Sequence, residues 1–298
     1  MAKVLLLDQQ SQEEILRKER KANNAWNKLK RNKTAVLGLA AVCFMIAIAV
    51  FAPLITDGKP NEIHPIDAYL TFFKKGHIFG TDEFGRDLFT RICYGARVSL
   101  LVAVGATIVG GIAGVLLGLL SGYMGGIVDA VVMRIMDGVL AFPFILLSIV
   151  LMTVLGSGMM NVILAIGIAE IPRFARVVRG QVLVVKREEF CNAGRVIGIS
   201  HFRMLFHHIL PNTISEVIVY GTLNIASAII SESALSFLGL GIDLPTASWG
   251  SILRAGRNSL NTAPHIAAVS GVFILITVIG FNLLGDGIRD VLDPKMKK

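Results

Sequence analysis

Charge is missing from long stretches of this chain, and that absence constrains the fold more than any motif does. No Asp, Glu, Lys or Arg occurs between Lys33 and Asp57, between Arg97 and Asp129, or between Asp137 and Glu170. About 20 residues of helix cross the hydrocarbon of a bilayer, where a spanning backbone must satisfy its own polar groups. These runs therefore predict membrane-spanning helices. Only 17% of the 298 residues are charged, whereas a soluble domain carries about a quarter.

The charged residues cluster beside the apolar runs. Residues 1–33 hold nine Lys/Arg (3, 17, 18, 20, 21, 28, 30, 31, 33) against four acids (8, 13, 14, 19). This flank is too long for the start of a signal peptide, so the first span, 34–56, is expected to be retained and the 1–33 segment to be cytoplasmic. Residues 57–97 balance six bases against six acids, which suits an external segment. The spans expected next are 98–128, 138–155, a fourth ending near Glu170 and Arg173, 213–231 and 263–285, followed by a cytoplasmic tail, 286–298. Asp129 to Asp137 reads as a charged link, and Pro143 as a kink within the third span. Arg173, Arg176 and Arg179 are expected to reach the cytoplasmic interface. The net charge of +8 follows these topology signals and forms no stripe interleaved with aromatics, so nucleic acid is not an expected partner.

Gly110, Gly114, Gly118, Gly122 and Gly126 recur at every fourth place in the second run. On a helix they form one flat stripe that lets another backbone approach. The stripe fits tight packing and also a helix that slides. The loop 173–212 carries seven bases (173, 176, 179, 186, 187, 195, 203) against two acids, which marks it cytoplasmic. Within it, Glu188 and Glu189 favour a helix start, and Gly198 suits a helix stop. Ser200 suits a second start, and Pro211-Asn212 is expected to reset direction before the fifth span. Exposed phenylalanines on such a helix–hinge–helix suit a groove on a soluble partner or the lipid interface; both readings stay open.

No G-x-x-x-x-G-K-[ST] cradle occurs, since the only Gly-Lys, Gly58-Lys59, is followed by proline, so no nucleotide site is expected in this chain. Neither a nucleophile–base set nor a metal site stands out: Cys43, Cys93 and Cys191 are scattered, and His207 and His208 point to different helix sides. Catalytic residues and metal ligands are expected to be absent. Glu170, Glu216 and Glu232 leave a rival reading, an autonomous secondary transporter using intramembrane carboxylates. Glu216 and Glu232 are expected at the interfaces.

"NAGRVIGISHFRMLFHHILPN" (192–212) resembles the cytoplasmic loop signature of permeases from binding-protein-dependent ABC importers, which runs Glu-Ala-Ala, three residues, Gly, then Ile-x-Leu-Pro. Ala193, Gly198, Leu210 and Pro211 match; Asn192 and Gly194 stand where the family has glutamate and the second alanine. "FGTDEFGRDLFTR" (79–91), "ESALSFLGLG" (232–241), "SWG" (248–250) and "FNLLGDGIRDVLDP" (281–294) are similar to the C-type permease of the peptide/nickel branch. The resemblance implies an all-α, six-helix type I permease in the bacterial cytoplasmic membrane, its five-helix core (98–285) preceded by one extra helix and both termini inside. It implies a homologous second permease, two cytoplasmic ATPases that hold ATP and Mg, and an external solute-binding protein. The loop, about 186–212, becomes the coupling helix, with Glu188, Glu189, Asn192, Ala193, Gly194, Gly198, Leu210 and Pro211 facing the ATPase. Peptides are the expected cargo, with nickel or glutathione as alternatives. In the external motif, Gly80, Thr81, Asp82, Gly85, Arg86 and Asp87 either dock the binding protein or form a self-satisfied turn.

Overall fold

The computed structural model describes residues 25–56 and 58–292. The basic flank through residue 24 and the tail from 293 lie outside the described residues, as does Asp57. Every regular element described is helical, beside two isolated antiparallel bridges at Lys74–His77 and Thr81–Asp87. The helices are α1 (Ala25–Arg31), α2 (Lys33–Ile55), α3 (Leu88–Met124), α4 (Gly126–Leu140), α5 (Phe144–Leu155) and α6 (Met159–Val185). After these come α7 (Glu189–Val196), α8 (His201–Phe237, π-helical over Met204–Ile209), α9 (Trp249–Asn258) and α10 (Pro264–Leu292).

By length and apolarity, α2, α3, α8 and α10 qualify as membrane spans, and α4 with α5 counts as a fifth if that pair, bent by 88°, is one broken span. The remaining expected span is α6. At 27 residues and about 1.5 Å per residue it is roughly 40 Å long. It carries Glu170, Arg173, Arg176 and Arg179, and its partners explain how it tolerates them.

The centre of the bundle is the α3–α6 contact. Here the two helices run parallel, each step of four on α3 meeting a step of four on α6. A Cβ built on Gly110 would lie 2.7 Å from Gly167 O, on Gly114 2.3 Å from Phe174 Cβ, on Gly118 2.6 Å from Ala175 O and on Gly122 2.8 Å from Val182 Cβ. Gly167 answers from α6, where an added Cβ would lie 2.8 Å from Val109 Cβ. Gly126 departs from the stripe. It has φ +54°, follows Gly125 at φ +67°, and no atom lies within 4 Å of its would-be Cβ. Helix α3 ends there, and the two glycines supply the left-handed turn into α4.

The segment expected as a charged link, Asp129 to Asp137, is therefore helical, because α6 neutralises its acids. Arg179 grips Asp129 with Nε and Nη2, both at 2.6 Å, and Arg176 Nη2 reaches Asp137 Oδ1 at 2.6 Å. These arginines serve the bundle as well as its edge. Pro143 does not kink a continuous 138–155 helix; it lies at the N-cap of α5, where the chain has already turned.

Helix α3 also begins ten residues before its uncharged run. Asp87 caps it by accepting from Thr90 N at 2.7 Å. Arg91 is spent on Pro60 O and Asn61 Oδ1, both at 3.0 Å, and Arg97 on the Ala49 and Val50 carbonyls at the end of α2. With its charges satisfied, the turn from 88 to 97 becomes helical, and the polar segment expected over 57–97 ends at Asp87.

At the same end of the bundle, Glu232 of α8 is fully buried although it lies near the helix end. It accepts from Ser236 Oγ at 2.8 Å and Ser99 Oγ at 3.1 Å, and Ser99 Oγ in turn accepts from Trp249 N at 3.1 Å. One carboxylate thus fastens α3, α8 and α9. Glu170 pairs with Arg173 at 2.7 Å, leaving its Oε2 buried with no partner among the described residues. Glu216 is half-buried on α8.

Candidate functional site

The opposite end of the bundle carries the candidate site, built from the end of α3, the end of α6, α7 and the start of α8. Helix α7 is only eight residues long, too short to persist by propensity alone, so its neighbours must hold it. Its stop is a Schellman motif around Gly198 at φ +77°. Ile199 N donates to Gly194 O at 2.9 Å and Gly198 N to Arg195 O at 3.1 Å, which satisfies the last carbonyls. Gly194 packs under the tip of Met204: a Cβ there would lie 2.4 Å from Met204 Cε, a close approach that a small turn of the flexible methionine chain relieves.

The inner face of α7 joins a small core of Leu119, Tyr123, Val178, Val182, Val185, Cys191, Met204 and Ile209. Burial pushes the Cys191 thiol up, so it stays protonated and donates to Val185 O at 3.4 Å. The outer surface is apolar and uncovered: Val196 is 87% exposed, Ile197 76% and Phe202 70%. Phe202 and Phe206 stack at 4.6 Å. Glu188, Glu189, Asn192 and Ala193 are exposed beside this surface, while Gly194 is buried. On the flank of α7, Leu183, Lys186, Arg187, Asn192 and Arg195 line a cleft of about 390 Å³.

Two joints tie the segment to the long helices. Tyr123, near the end of α3, shares a hydrogen bond between its hydroxyl and His201 Nδ1 at 2.8 Å, and Lys186 donates to the Tyr123 carbonyl. Nothing in the sequence pattern pairs residues 78 positions apart, so this link was not legible beforehand. The second joint corrects the reading of Pro211. The chain does not reset at Leu210-Pro211; α8 runs on, with proline in the first turn after the π-helical stretch. The wider i→i+5 register there relieves the ring clash and the missing N–H that proline brings to an α-helix. Asn212 Nδ2 donates to His208 O at 2.6 Å. The π-helical stretch and the helix after it therefore form one continuous element.

The second sequence-predicted site, residues 80–87, is a closed turn. Gly80 (φ +79°) and Gly85 (φ +71°) lie where an added Cβ would meet the Leu70 and His64 carbonyls at 2.0 and 1.8 Å. Thr81 accepts from Leu70 N at 2.9 Å and donates to Asp67 O. Asp82 Oδ1 accepts from Phe84 N and Arg86 N at 2.9 and 3.0 Å. Its Oδ2 accepts from Arg86 Nε at 2.7 Å and sits 3.4 Å from Arg91 Nε. Asp87 also meets His77 Nδ1 at 2.8 Å. Nearby, the Lys75 ammonium hydrogen-bonded to Asp67 holds that carboxyl below the usual carboxylate range. The motif spends its polar groups mainly on itself, which favours the turn over docking through Thr81 and Asp82. Asp82→Asn would remove the carboxylate that the buried Arg86 and Arg91 share, at a cost of about 3–5 kcal/mol. A matching loss should appear in thermal unfolding of the purified protein.

No group of three or more His, Cys, Asp or Glu is placed to hold a metal among the described residues.

Comparison with known proteins places this geometry in context. Residues 114–298 match the family described as "binding-protein-dependent transport system inner membrane component", and residues 22–71 match the "N-terminal TM domain of oligopeptide transport permease C". A dipeptide transport system permease protein of Alkalihalophilus pseudofirmus is 45% identical over 92% of this chain and 90% of its own length. A glutathione transport system permease protein of Salmonella paratyphi A is 46% identical over 91% of this chain and 90% of its own. Among solved structures, an inward-facing conformation of the MetNI methionine ABC transporter aligns with a TM-score of 0.49 at 19% identity, covering 65% of this chain and 95% of that one.

Proposed function

We propose, from the premise that this chain belongs to the family of binding-protein-dependent transport system inner membrane components, that it moves di- or oligopeptides inward through an all-α type I importer fold. The observation that carries the mechanism is α7: a short helix capped at Gly198, seated through Gly194 on Met204, with Val196, Ile197 and Phe202 uncovered. Such a surface suits insertion into a groove of a soluble partner. Two ATPase subunits holding ATP and Mg are that partner in this reading, since no phosphate-binding loop occurs in the chain. A homologous second permease completes the path, and an external solute-binding protein delivers the cargo. The coupling end faces the cytoplasm, in line with the basic excess of residues 173–212.

In this mechanism ATP-driven closure of the ATPases pulls α7. The pull enters α8 through the π-helical stretch and α3 through Tyr123–His201, while Arg179–Asp129 and Arg176–Asp137 carry it from α6 to α4. The glycine contact between α3 and α6 gives a smooth surface for the accompanying shift. Dipeptide and glutathione permeases are equally similar to the chain, and both cargoes are peptides; nickel has no metal-ligating cluster behind it among the described residues. The secondary-transporter reading loses two of its carboxylates, because Glu170 is paired with Arg173 and Glu232 is held by serines.

The test is uptake of labelled dipeptide by vesicles holding the whole assembly. Uptake is expected only with ATP on the α7 side and with the binding protein opposite. Uptake driven by an ion gradient without ATP would sink the importer reading.

A further inference from the structure

The end of the bundle opposite α7 holds a cleft of about 140 Å³ between the turn at 83–91, the end of α8 and α9. Its walls carry more positive charge than the fold consumes. Arg86 and Arg91 are 6% and 3% exposed, yet both share the single carboxylate of Asp82. The acceptors of Asp82 are occupied by two backbone N–H groups and these side chains. Arg86 bonds Asp82 through Nε and lays its guanidinium 4.6 Å over the Phe84 ring; its terminal nitrogens make no hydrogen bond among the described residues and are not shut off from solvent in the cleft that the residue lines. An anion entering the cleft would meet these open donors with charge-assisted hydrogen bonds.

Two further charges face the same space without meeting. Arg254, on α9, is exposed and makes no hydrogen bond or ion pair among the described residues. Its head lies over Gly239, where an added Cβ would come within 3.0 Å of it. Glu83, half-buried, makes no ion pair at contact distance among them, although its charge acts on Arg91. One cleft thus gathers open cationic donors and a carboxylate.

We propose that this cleft receives the charged ends of a small peptide, its carboxylate meeting Arg86 and Arg254 and its ammonium meeting Glu83. The inference rests on the peptide reading above. An acidic side chain from the binding protein would satisfy the arginines but leave Glu83 unmatched and repel it, whereas a zwitterion satisfies both. The size agrees, because the cleft is well below the ~300–1,000 Å³ of a drug-sized site. The cleft lies at the end opposite α7, and there it takes the peptide as the binding protein releases it.

The experiment uses the complete importer in vesicles with its binding protein and labelled Ala-Ala as the probe. Arg254→Gln and Glu83→Gln should each slow initial uptake about tenfold, the loss expected for one charge-assisted contact. Arg254→Lys, which keeps the charge, should retain most of it. Affinity of the binding protein for the nanodisc-embedded importer should not change. Neither Arg254 nor Glu83 holds the fold together, so the variants should assemble normally. Uptake unchanged in both neutral variants would overturn the site alone. Loss of uptake that tracks lost binding-protein affinity would also overturn it, in favour of a docking contact. Wild-type vesicles that take up no Ala-Ala would overturn the peptide reading and the ligand assigned here with it.

Discussion

Gly114→Leu is expected to abolish the folded permease. The Cβ alone would lie 2.3 Å from Phe174 Cβ and 2.8 Å from Ile171 O. One of these neighbours is main chain, so no rotamer change relieves the clash, and α3 and α6 must separate along their length. Overpacking a core ordinarily costs about 1–3 kcal/mol; here the three further carbons of leucine add to a contact already below van der Waals distance. The measurement is the monodisperse peak in fluorescence-detected size-exclusion chromatography of the detergent-solubilised protein, which should vanish. Gly111→Ala on the same helix is the control. Its Cβ would make ordinary contact, 3.5 Å from the Phe174 ring, so it should elute like the wild type. A wild-type profile for Gly114→Leu would mean that the close approach of α3 and α6 is wrong.

That contact was legible because glycine at every fourth place has one geometric meaning on a helix. Its limit, Gly126, was not, because periodicity cannot tell a glycine kept for absence of bulk from one kept for a positive φ. The same ambiguity governs charge. Asp129 and Asp137 read as a solvated link because their partners, Arg179 and Arg176, lie 50 and 39 residues away, and no local pattern announces them. Arg91 and Arg97 hid the first turns of α3 in the same manner. Apolar runs predict helices where lipid alone must be satisfied, and miss them where another part of the chain supplies the counter-charge.

Around the coupling segment, residues that shape the backbone locally were readable: the stop at Gly198 and the start near Glu188. Those acting across the fold were not. Gly194 reads only as a departure from the family's second alanine until Met204 is seen packed over it. Pro211 reads as a break until the π-helical stretch before it is known. The position of Glu232 near the end of α8 gives no sign of its burial, which comes from α9 folding over it and bringing Trp249 to the same serine. For Gly194 and Glu232 the deciding atom comes from a segment joined by a loop, and loop paths are where pattern reading has least to use.

Val196→Asp combined with Ile197→Asp is expected to release the ATPase subunits while leaving the permease folded. Both side chains are almost wholly exposed, so the substitution removes little that the isolated chain buries; α7 keeps its seat through Cys191, Gly194 and Met204. In the assembly those two positions would enter the partner's groove, where each apolar anchor contributes about 2 kcal/mol or more and an unpaired carboxylate is costly to desolvate. Affinity for the ATPases should fall by at least about a hundredfold. The check is the ratio of ATPase to permease after affinity purification, together with peptide-stimulated ATP hydrolysis of the reconstituted mixture; both should collapse. Ile66→Asp is the matched control, because Ile66 is 92% exposed in the polar segment at the opposite end and should leave both readings intact. Full ATPase stoichiometry with coupled hydrolysis in the double variant would remove α7 as the point where force enters the bundle, and the path through Tyr123 and α8 would lose its origin.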